Sequence, residues 1–368
     1  MLTLGSLFSG SGGFELAGKL AGIEPVWNSE IEPFPIAVTR SRLPEVKHYG
    51  DVCKLRGDEL EPADIVTLGF PCQSVSIAGK REGMRHRDYG GDTTTRSGLF
   101  YEAIRIIREM RKANGQPRYA VAENVPGLFT SNGGEDFRKV IEAFCGVFVP
   151  AAKWTNAGEV VGDDFSLAWR VLDAQYWGVP QRRRRVYIVA DFDGASAGEI
   201  LFNPEGLCGN TSASGFPWKG IAESSKGCTG AAFDVRFTSE NSKVSRGLCY
   251  ETETARCLDT GGIPPDGNQG GIAVLTTGSF MQSDCNRACT LMARDYKGAQ
   301  VVSDGCFVRR LTPKECARLQ GFPFDWCDGV PHSDSAEYKL WGNAVALPCA
   351  YFVLSSIKEN YVRENKAV

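Results

Sequence analysis

A cysteine directly after a rigid turn is the first candidate for chemistry, in the stretch "LGFPCQSVS" at residues 68–76. The apolar run before it reads as a strand that ends at Gly-Phe-Pro, so Cys72 is expected at the mouth of that strand. A buried structural cysteine is the commonest alternative. The polar, glycine-containing segment at 73–96 is typical of a mobile lid. Because cations in that segment favour the thiolate, Cys72 is predicted to be a nucleophile.

An acidic residue and an arginine run suit the same chemistry. Glu123 ends the apolar stretch "RYAVAENV", where a carboxyl group is placed to donate a proton. The run "QRRRR" at 181–185 precedes "VYIVA", and a strand points successive side chains to opposite faces. Arg183 and Arg185 would therefore share one face with Gln181. A solvated charge run is the ordinary alternative, but the adjoining apolar strand requires that at least one face be occupied.

Alternating strands and helices are predicted to position these groups. Between Leu2 and Phe192 the strands are "LTLGSLF", "EPVWNSE", "VKHYGDV", "ADIVTLGF", "RYAVAENV" and "RRVYIVADF", and the helices are "GFELAGKLAG", "PFPIAVTRSRL", "SGLFYEAIRIIREMRKA" and "EDFRKVIEAFCG". This alternation predicts an α/β fold with a doubly wound, mostly parallel sheet. Ligands of such sheets bind beyond the carboxyl ends of the strands. That edge would hold residues 10–13, Glu30, Asp51, Cys72 and Glu123.

The glycine-rich turn "LFSGSGGF" follows the first strand. A dinucleotide fingerprint needs a third glycine where Glu15 stands, and the Gly-Lys-Ser/Thr of a P-loop is absent. Pyrophosphate binding is therefore disfavoured, which leaves a plain turn or a nucleoside-type cofactor without phosphates. Glu30 could accept hydrogen bonds from ribose hydroxyls, and Asp51 from an adenine amino group.

The composition changes after Phe202. Residues 203–305 are rich in Gly, Ser, Thr and Asn and predict a smaller region of strands and loops. Helical signals return with a capping box at Thr312, a stop at Gly321, and a long helix that closes the chain. The predicted domains are 1–202 for catalysis and cofactor binding, 203–305 for target recognition, and 306–368 as a return to the catalytic domain.

The composition also excludes several classes of protein. The chain has 368 residues and 13 cysteines but no Cys-x-x-Cys pair, so free thiols in a reducing cytoplasm are predicted and no metal site is expected. It has no run of about 18 apolar residues and no secretion signal at its N-terminus, so no contact with a membrane is predicted. A net charge of −3 argues against a non-specific nucleic-acid coat but is compatible with a local basic cleft.

The ordered motifs resemble those of DNA (cytosine-5-)-methyltransferases of the bacterial or phage type. They are "LFSGSGGF", "NSEIEP", "GDV", "GFPCQS", "RSGLF", "ENV", "QRRRR", "RRLTPKECARLQGFP" and "GNAV". They span nearly the whole chain in family order, and the Pro-Cys-Gln, Glu-Asn-Val and Gln-x-Arg-x-Arg series is highly specific. One departure is Ser6, where the family commonly has aspartate.

The resemblance implies an S-adenosylmethionine-dependent methyltransferase fold with S-adenosyl-L-methionine as cofactor. The implied cofactor-binding residues are Phe8, Gly10, Gly12, Glu30, Asp51, Val52, Pro71, Leu99 and Asn343. The implied catalytic residues are Cys72 as nucleophile, Glu123 as the partner of cytosine N3, and Arg183 and Arg185, which would hold the activated base. The implied substrate-binding residues are Gln73, Ser76, Arg96 and Gln181.

The implied reaction is methyl transfer to C5 of a flipped-out cytosine in a specific duplex DNA sequence, through a covalent bond between Cys72 and C6. The implied partners are double-stranded DNA and a cognate restriction endonuclease, and the protein would act as a cytoplasmic monomer. One alternative keeps this chemistry on RNA, as in the transfer-RNA branch of the family. A second alternative is an inactive cofactor-binding relative, and a thiol-redox protein is weaker still without a Cys-x-x-Cys pair.

Overall fold

The chain divides into two compact units. The computed structural model describes residues 1–71, 98–150, 153–179, 181–203 and 312–366, and the backbone of five strands between residues 232 and 310. The first unit contains residues 1–173, 184–211 and 347–368, and the second contains residues 174–183 and 212–346. Residues 312–346 therefore group with the second unit, whereas the sequence placed them with the catalytic domain. The assignment of functions to the domains stays a prediction.

The first unit is built on an eight-stranded sheet in the order β3-β2-β1-β4-β5-β9-β7-β6. Its strands are β1 Thr3–Leu7, β2 Glu24–Ser29, β3 Lys47–His48, β4 Ile65–Leu68, β5 Tyr119–Asn124, β6 Ala157–Val161, β7 Ser166–Asp173 and β9 Arg184–Asp191. Strands β1 to β5 pair in parallel, whereas β9, β7 and β6 extend the sheet by antiparallel pairing. The predicted α/β, mostly parallel sheet is confirmed, and the hairpin of β6 and β7 is an addition that the sequence did not predict.

Helices cover the sheet of the first unit. They are α1 Gly13–Ala21, α2 Pro33–Arg42, α3 Gly98–Asn114, α4 Glu135–Cys145, α5 Ala197–Leu201 and α8 Leu347–Lys366. Helix α3 forms where the sequence predicts a helix, and it buries one apolar face that includes Phe100, Ile104 and Met110. Helix α8 packs on α1, where Lys358 Nζ donates to the carbonyl oxygen of Ala21 at 2.8 Å. The last helix thus belongs to the same core as the first.

A close contact between two strands fixes the start of the sheet. The indole of Trp27 lies against Gly5, because a Cβ atom at Gly5 would be only 2.1 Å from Trp27 Cζ2. Trp27 is fully buried, and its Nε1 donates to the carbonyl oxygen of Glu61 at 2.8 Å. A glycine in the middle of β1 therefore lets the sheet carry its largest core side chain.

The second unit contains a four-stranded antiparallel sheet in the order β11-β10-β13-β14 and a short parallel pair of β12 with β8. Its elements are β8 Gln181–Arg182, β10 Ala232–Thr238, β11 Arg246–Thr252, β12 Ala255–Arg256, β13 Ile272–Thr277, β14 Cys306–Arg310, α6 Pro313–Leu319 and α7 Asp334–Asn343. The capping box at Thr312 is confirmed by its two reciprocal hydrogen bonds with Glu315. Gly321 has a φ of +84°, as the predicted helix stop requires.

Among the described helices, no single one is long and apolar enough to cross a membrane, and α7 and α8 meet the criteria of length and composition only when they are taken together.

A buried ion pair at the amino edge of β5 gives a stability prediction. Asp191 has a fully buried side chain and pairs with Arg118 Nε at 3.0 Å, whereas Asp193 pairs with Arg111 at a half-exposed site. We expect Asp191→Ala to lower the free energy of unfolding by about 3 kcal/mol, because Arg118 loses its buried partner and keeps only the partly exposed Glu364. Asp193→Ala is the matched control and should cost less than about 1 kcal/mol. Urea unfolding measures both, and equal losses would contradict the prediction.

The same pair predicts the pH dependence of stability. Burial acts to raise the pKa of Asp191, but hydrogen bonds from Arg118 and Ser196 outweigh it and hold the pKa below its usual range. A lowered carboxyl pKa stabilises the fold above the ordinary aspartate value of about 3.9, and that contribution is lost as the pH falls through the lowered pKa. Asp191→Ala should therefore remove part of the acid sensitivity of unfolding.

Candidate active site

Three adjacent strands end side by side at one edge of the first unit. Leu7 at the end of β1 is in register with Leu68 of β4, and Leu68 is in register with Ala122 of β5. Neighbouring strands are about 4.8 Å apart, so the segments that leave these strands begin next to one another. Strand order reverses between β1 and β4, which is where doubly wound sheets form a ligand-binding crevice.

The loop after β1 has an unusual backbone. Phe8, Gly10 and Gly12 have positive φ angles of 58°, 54° and 79°. A bulky residue in this left-handed region is strained, and such strain is concentrated at ligand-binding and active sites. The loop closes on itself through a hydrogen bond from Gly12 N to the carbonyl oxygen of Ser9 at 3.0 Å. Glycine makes this loop shape possible, and within the loop Phe8 and Gly10 are half-buried whereas Gly12 is buried.

Glu30 joins the loops after β1 and β2. Its Oε2 accepts from Gly10 N at 2.8 Å, and its Oε1 accepts from the backbone N–H groups of Ile31 at 2.7 Å and Glu32 at 3.0 Å. Each carboxylate oxygen can accept two hydrogen bonds, so Oε2 retains the capacity to bind a hydroxyl group.

Asp51 continues the same edge beyond β3. Its Oδ1 accepts from Cys53 N at 3.0 Å and so caps the short 3₁₀ turn Val52–Lys54. Val52 is buried beneath it. Helix α3 reaches this turn because Arg105 Nη2 donates to the carbonyl oxygen of Leu55 at 2.9 Å. Leu99, in the first turn of α3, packs half-buried against the same core as Val52.

Glu123 is buried at the end of β5, beside the end of β4. Its Oε1 lies 3.0 Å from Arg185 Nε, and the two side chains are 11% and 14% exposed. The contact lacks the alignment of a regular hydrogen bond, so its strength is chiefly coulombic. A Cβ atom at Gly69 would lie 3.9 Å from Glu123 Oε2, which places the carboxyl group over the turn that leads to Pro71.

Asn124 secures that turn. Its Nδ2 donates to the carbonyl oxygen of Phe70 at 3.2 Å, and its Oδ1 accepts from Val125 N at 2.8 Å. The sequence motif Glu-Asn-Val points to this position, but only the structure shows that the asparagine holds the end of β4. Pro71 is the last described residue there, and Cys72, Gln73, Ser76 and Arg96 lie outside the described residues.

The arginine run alternates as a strand should. Gln181 and Arg183 are buried, Arg182 and Arg184 are exposed, and Arg185 is half-buried. Arg185 lies in the first unit beside Glu123, whereas Gln181 and Arg183 lie in the second.

The two buried residues of the run have structural contacts that the sequence did not predict. Gln181 Nε2 donates to the carbonyl oxygen of Leu319 at 2.9 Å. Arg183 Nη2 donates to the carbonyl oxygens of Gly342 at 3.1 Å and Ala344 at 2.5 Å. Arg183 therefore brackets Asn343, whose side chain is exposed at the end of α7. The roles of these residues toward a cofactor or substrate stay predictions.

In the part of the chain that the structure describes, no three His, Cys, Asp or Glu side chains are grouped so that they could hold a metal ion.

Comparison with known proteins shows which family the chain matches. The family model described as C-5 cytosine-specific DNA methylase matches residues 2–196 and 218–359. The match includes both units and every motif from the glycine-rich loop to the start of the last helix. It confirms the resemblance that the motif series indicates.

Curated relatives and solved structures agree with this match. A type II methyltransferase of Lactococcus lactis subsp. cremoris, M1.ScrFI, is 28% identical over 98% of this chain and 79% of its own length. The crystal structure of Schizosaccharomyces pombe Dnmt2 methyltransferase has a TM-score of 0.59 and 18% identity, and it covers 98% of this chain and 99% of that one. At that identity the likeness supports the fold alone, which is that of the methyltransferases.

One relative carries a different name. A protein of Escherichia phage P1 called DNA N-6-adenine-methyltransferase is 31% identical over 88% of this chain. This chain spans about half the length of that relative, 52%, so its name also covers a part with no counterpart here. Because the family model matches most of the chain, the protein belongs to the C-5 cytosine-specific DNA methylase family and is a DNA cytosine methyltransferase by class.

Proposed function

We propose that the protein transfers a methyl group from S-adenosyl-L-methionine to C5 of a flipped-out cytosine in a specific duplex DNA sequence. The observation that supports this most is the alignment of three strand ends. The strained loop of Phe8 follows β1, the turn to Cys72 follows β4, and Glu123 ends β5. A cofactor-binding loop, a thiol and a buried carboxyl group would thus lie close together at the point where the strand order reverses.

The cofactor fits the glycine-rich loop. Two glycines with positive φ let a ligand approach the backbone, and the loop lacks the groups that bind a pyrophosphate. Phe8 would face the adenine, Glu30 would accept from the ribose hydroxyls, and Asp51 would accept from the adenine amino group. Val52, Pro71 and Leu99 of the first unit would line the same pocket, and Asn343 of the second unit stays a predicted cofactor-binding residue. When bound, S-adenosyl-L-methionine supplies a methyl group on a sulfonium sulfur, which is a strong electrophile.

The protein residues would activate the base. Cytosine C5 is a poor nucleophile because its ring is electron-poor and aromatic. The Cys72 thiolate would add to C6, breaking the aromaticity and making C5 enamine-like, so that C5 can take the methyl group. Loss of the C5 proton and expulsion of the thiolate would then restore the ring. Glu123 would hydrogen-bond N3, where the electron density from the thiolate accumulates.

The DNA must be opened for this chemistry. A thiol cannot reach C6 of a stacked cytosine, so the base would be flipped out at a cost of a few kcal/mol. Residues 73–96 would close over the site, residues 203–305 would read the target sequence, and Arg183 and Arg185 would hold the flipped base. The Lactococcus relative is named a type II methyltransferase, which supports a role in a restriction-modification system. The protein would then act as a monomer, and a cognate endonuclease would be its partner in that system.

The experiment that tests this function identifies both the polymer and the methylated atom. We expect tritium from labelled S-adenosyl-L-methionine to enter duplex DNA and not transfer RNA. After hydrolysis of the DNA, the labelled nucleoside should be 5-methyl-2′-deoxycytidine. Labelled N6-methyladenine would support the activity named for the phage relative, and labelled RNA would support the RNA alternative. Bisulfite sequencing of the product then reads the target site.

A second experiment tests the covalent step. DNA that carries 5-fluorocytosine cannot lose a proton from C5, so the proposed adduct with Cys72 would be trapped. We expect a protein–DNA band that survives denaturing electrophoresis and that Cys72→Ala lacks. Methylation of ordinary DNA without a trapped band would contradict the covalent mechanism. The absence of both methylation and the trapped band would favour the inactive relative.

A further inference from the structure

One buried carboxyl group at this edge has no role in the chemistry above. Glu15 lies in the first turn of α1 and is fully buried. Its Oε1 accepts a short hydrogen bond from the Ser9 hydroxyl. Ser9 is itself held in place, because its N–H donates to the carbonyl oxygen of Ser29 at 3.0 Å. Glu15 therefore ties the helix to the loop that contains Gly10.

A polar row across the sheet faces this carboxyl group. Ser6 of β1, Asn28 of β2 and His48 of β3 are in register on three neighbouring strands. His48 Nδ1 lies 2.8 Å from Asn28 Oδ1. The amide nitrogen of Asn28 therefore stays available to stabilise the Glu15 carboxylate, and it lowers the pKa of Glu15. The Ser6 hydroxyl also lowers the pKa of Glu15, although it lacks the geometry of a regular hydrogen bond. Buried polar groups in proteins are normally hydrogen-bonded, so a row of them beside a buried carboxyl group indicates a specific role.

Burial sets the titration range of this group. It raises the pKa of Glu15 from 4.5 to about 7, against the opposing effects of the hydrogen bond from Ser9 and of the nearby polar side chains of Asn28 and Ser6. The side chains with the largest effects on it, from β1, β2 and the loop, are all neutral. The titratable groups linked to it are His48, through Asn28, and Glu30, through Gly10. Burial also lowers the pKa of His48 below 6.5.

We propose that Glu15 is a positioning residue for the cofactor, whose carboxylate holds residues 9–12 through Ser9 in the form that binds S-adenosyl-L-methionine. This inference rests on the cofactor site proposed above. A hydroxyl that donates to a carboxylate makes a stronger bond than one that donates to a neutral acid. Ionised Glu15 therefore favours the ordered loop, and the protonated group loosens it.

The expected sign of the pH dependence follows. The fraction of ionised Glu15 rises from about one tenth at pH 6 to about nine tenths at pH 8. If only the ionised form orders the loop, the affinity for ligand rises about tenfold over that range and then levels. The charges of S-adenosylhomocysteine stay constant between pH 6 and 8, so it is the probe of choice.

The experiment is calorimetric binding of S-adenosylhomocysteine to the full chain at pH 6, 7 and 8. We expect Glu15→Ala to bind more than tenfold more weakly than wild type at pH 8. Glu15→Gln, which is neutral at every pH like the protonated glutamate, should bind about tenfold more weakly than wild type at pH 8 and should show no step with pH. His48→Gln should keep the step. Ser9→Ala should reproduce the loss of Glu15→Ala, and the double variant should lose nothing more.

A matched control is available in the same unit. Asp136, in the first turn of α4, is also fully buried and accepts a short hydrogen bond from Ser131. Asp136→Asn should leave the affinity for S-adenosylhomocysteine unchanged at every pH.

The outcomes separate the two claims. If wild type binds no S-adenosylhomocysteine, the cofactor site itself is wrong. If wild type binds but Ser9→Ala and Glu15→Ala stay within twofold of it, or if the pH step persists in Glu15→Gln, the positioning role is overturned. The Ser9 variant and the glutamine variant decide the question even where Glu15→Ala fails to fold.

Discussion

Cys72→Ala is expected to abolish methyl transfer while S-adenosylhomocysteine still binds. Without a thiolate to add to C6, C5 stays aromatic and unreactive, so we expect a loss on the order of 10³-fold or more in turnover. The proposed cofactor residues in the loops after β1, β2 and β3 are untouched by the change, so binding should stay within about twofold. The measurement is transfer of labelled methyl groups to DNA under single-turnover conditions.

Three other thiols among the described residues, those of Cys53, Cys145 and Cys316, are poor candidates for this role. Burial raises the pKa of Cys145 to about 12, and burial with nearby carboxylates raises the pKa of Cys316 still further. Burial and Asp51 also raise the pKa of Cys53. A thiol needs the opposite environment, one rich in cations, to be a nucleophile near neutral pH. Cys145→Ala is the matched control and should retain full activity, whereas turnover by Cys72→Ala above a few per cent of wild type would contradict the nucleophile assignment.

The elements that local patterns specify were predictable from the sequence. The helix spacing of α3, the capping box at Thr312 and the glycine stop at Gly321 each depend on residues within one or two turns, and each is confirmed. The strand ends were predictable for the same reason, because an apolar run followed by a turn marks the edge of a parallel sheet. Phe8, Glu30 and Glu123, which are proposed for the cofactor and the base, therefore fall at or directly after the ends of strands.

Contacts between distant parts of the chain were not predictable. Arg183 bonds to carbonyl groups 159 and 161 residues away, and Gln181 to one 138 residues away. No local pattern distinguishes an arginine that holds a turn from one that faces a ligand. The grouping of residues 312–346 with the second unit has the same origin. Glu15 was visible only as the missing third glycine of a fingerprint, because its partners come from the loop and two other strands.

Glu123 variants should show the second large effect. We expect Glu123→Gln to lower the rate of methyl transfer by about 10²- to 10⁴-fold, the range for a positioned acid or base. A rate loss is expected because glutamine cannot give up a proton. The loss should be smaller than for Cys72→Ala, because glutamine still offers N3 a hydrogen-bond donor. Glu159→Gln, at an exposed position on β6, is the matched control and should have the wild-type rate.

The effect on the addition step can be separated from the effect on stability. Glu123→Gln also removes the partner of Arg185, so urea unfolding must show that the variant is folded at the assay temperature. Addition of the thiolate to C6 makes C5 exchangeable, so release of tritium from [5-³H]cytosine DNA without methyl donor measures addition alone. If Glu123 stabilises the electron density at N3, the variant must slow this exchange as strongly as it slows methylation. Exchange at the wild-type rate with slow methylation would place Glu123 after the addition step and refute its proposed contact with N3.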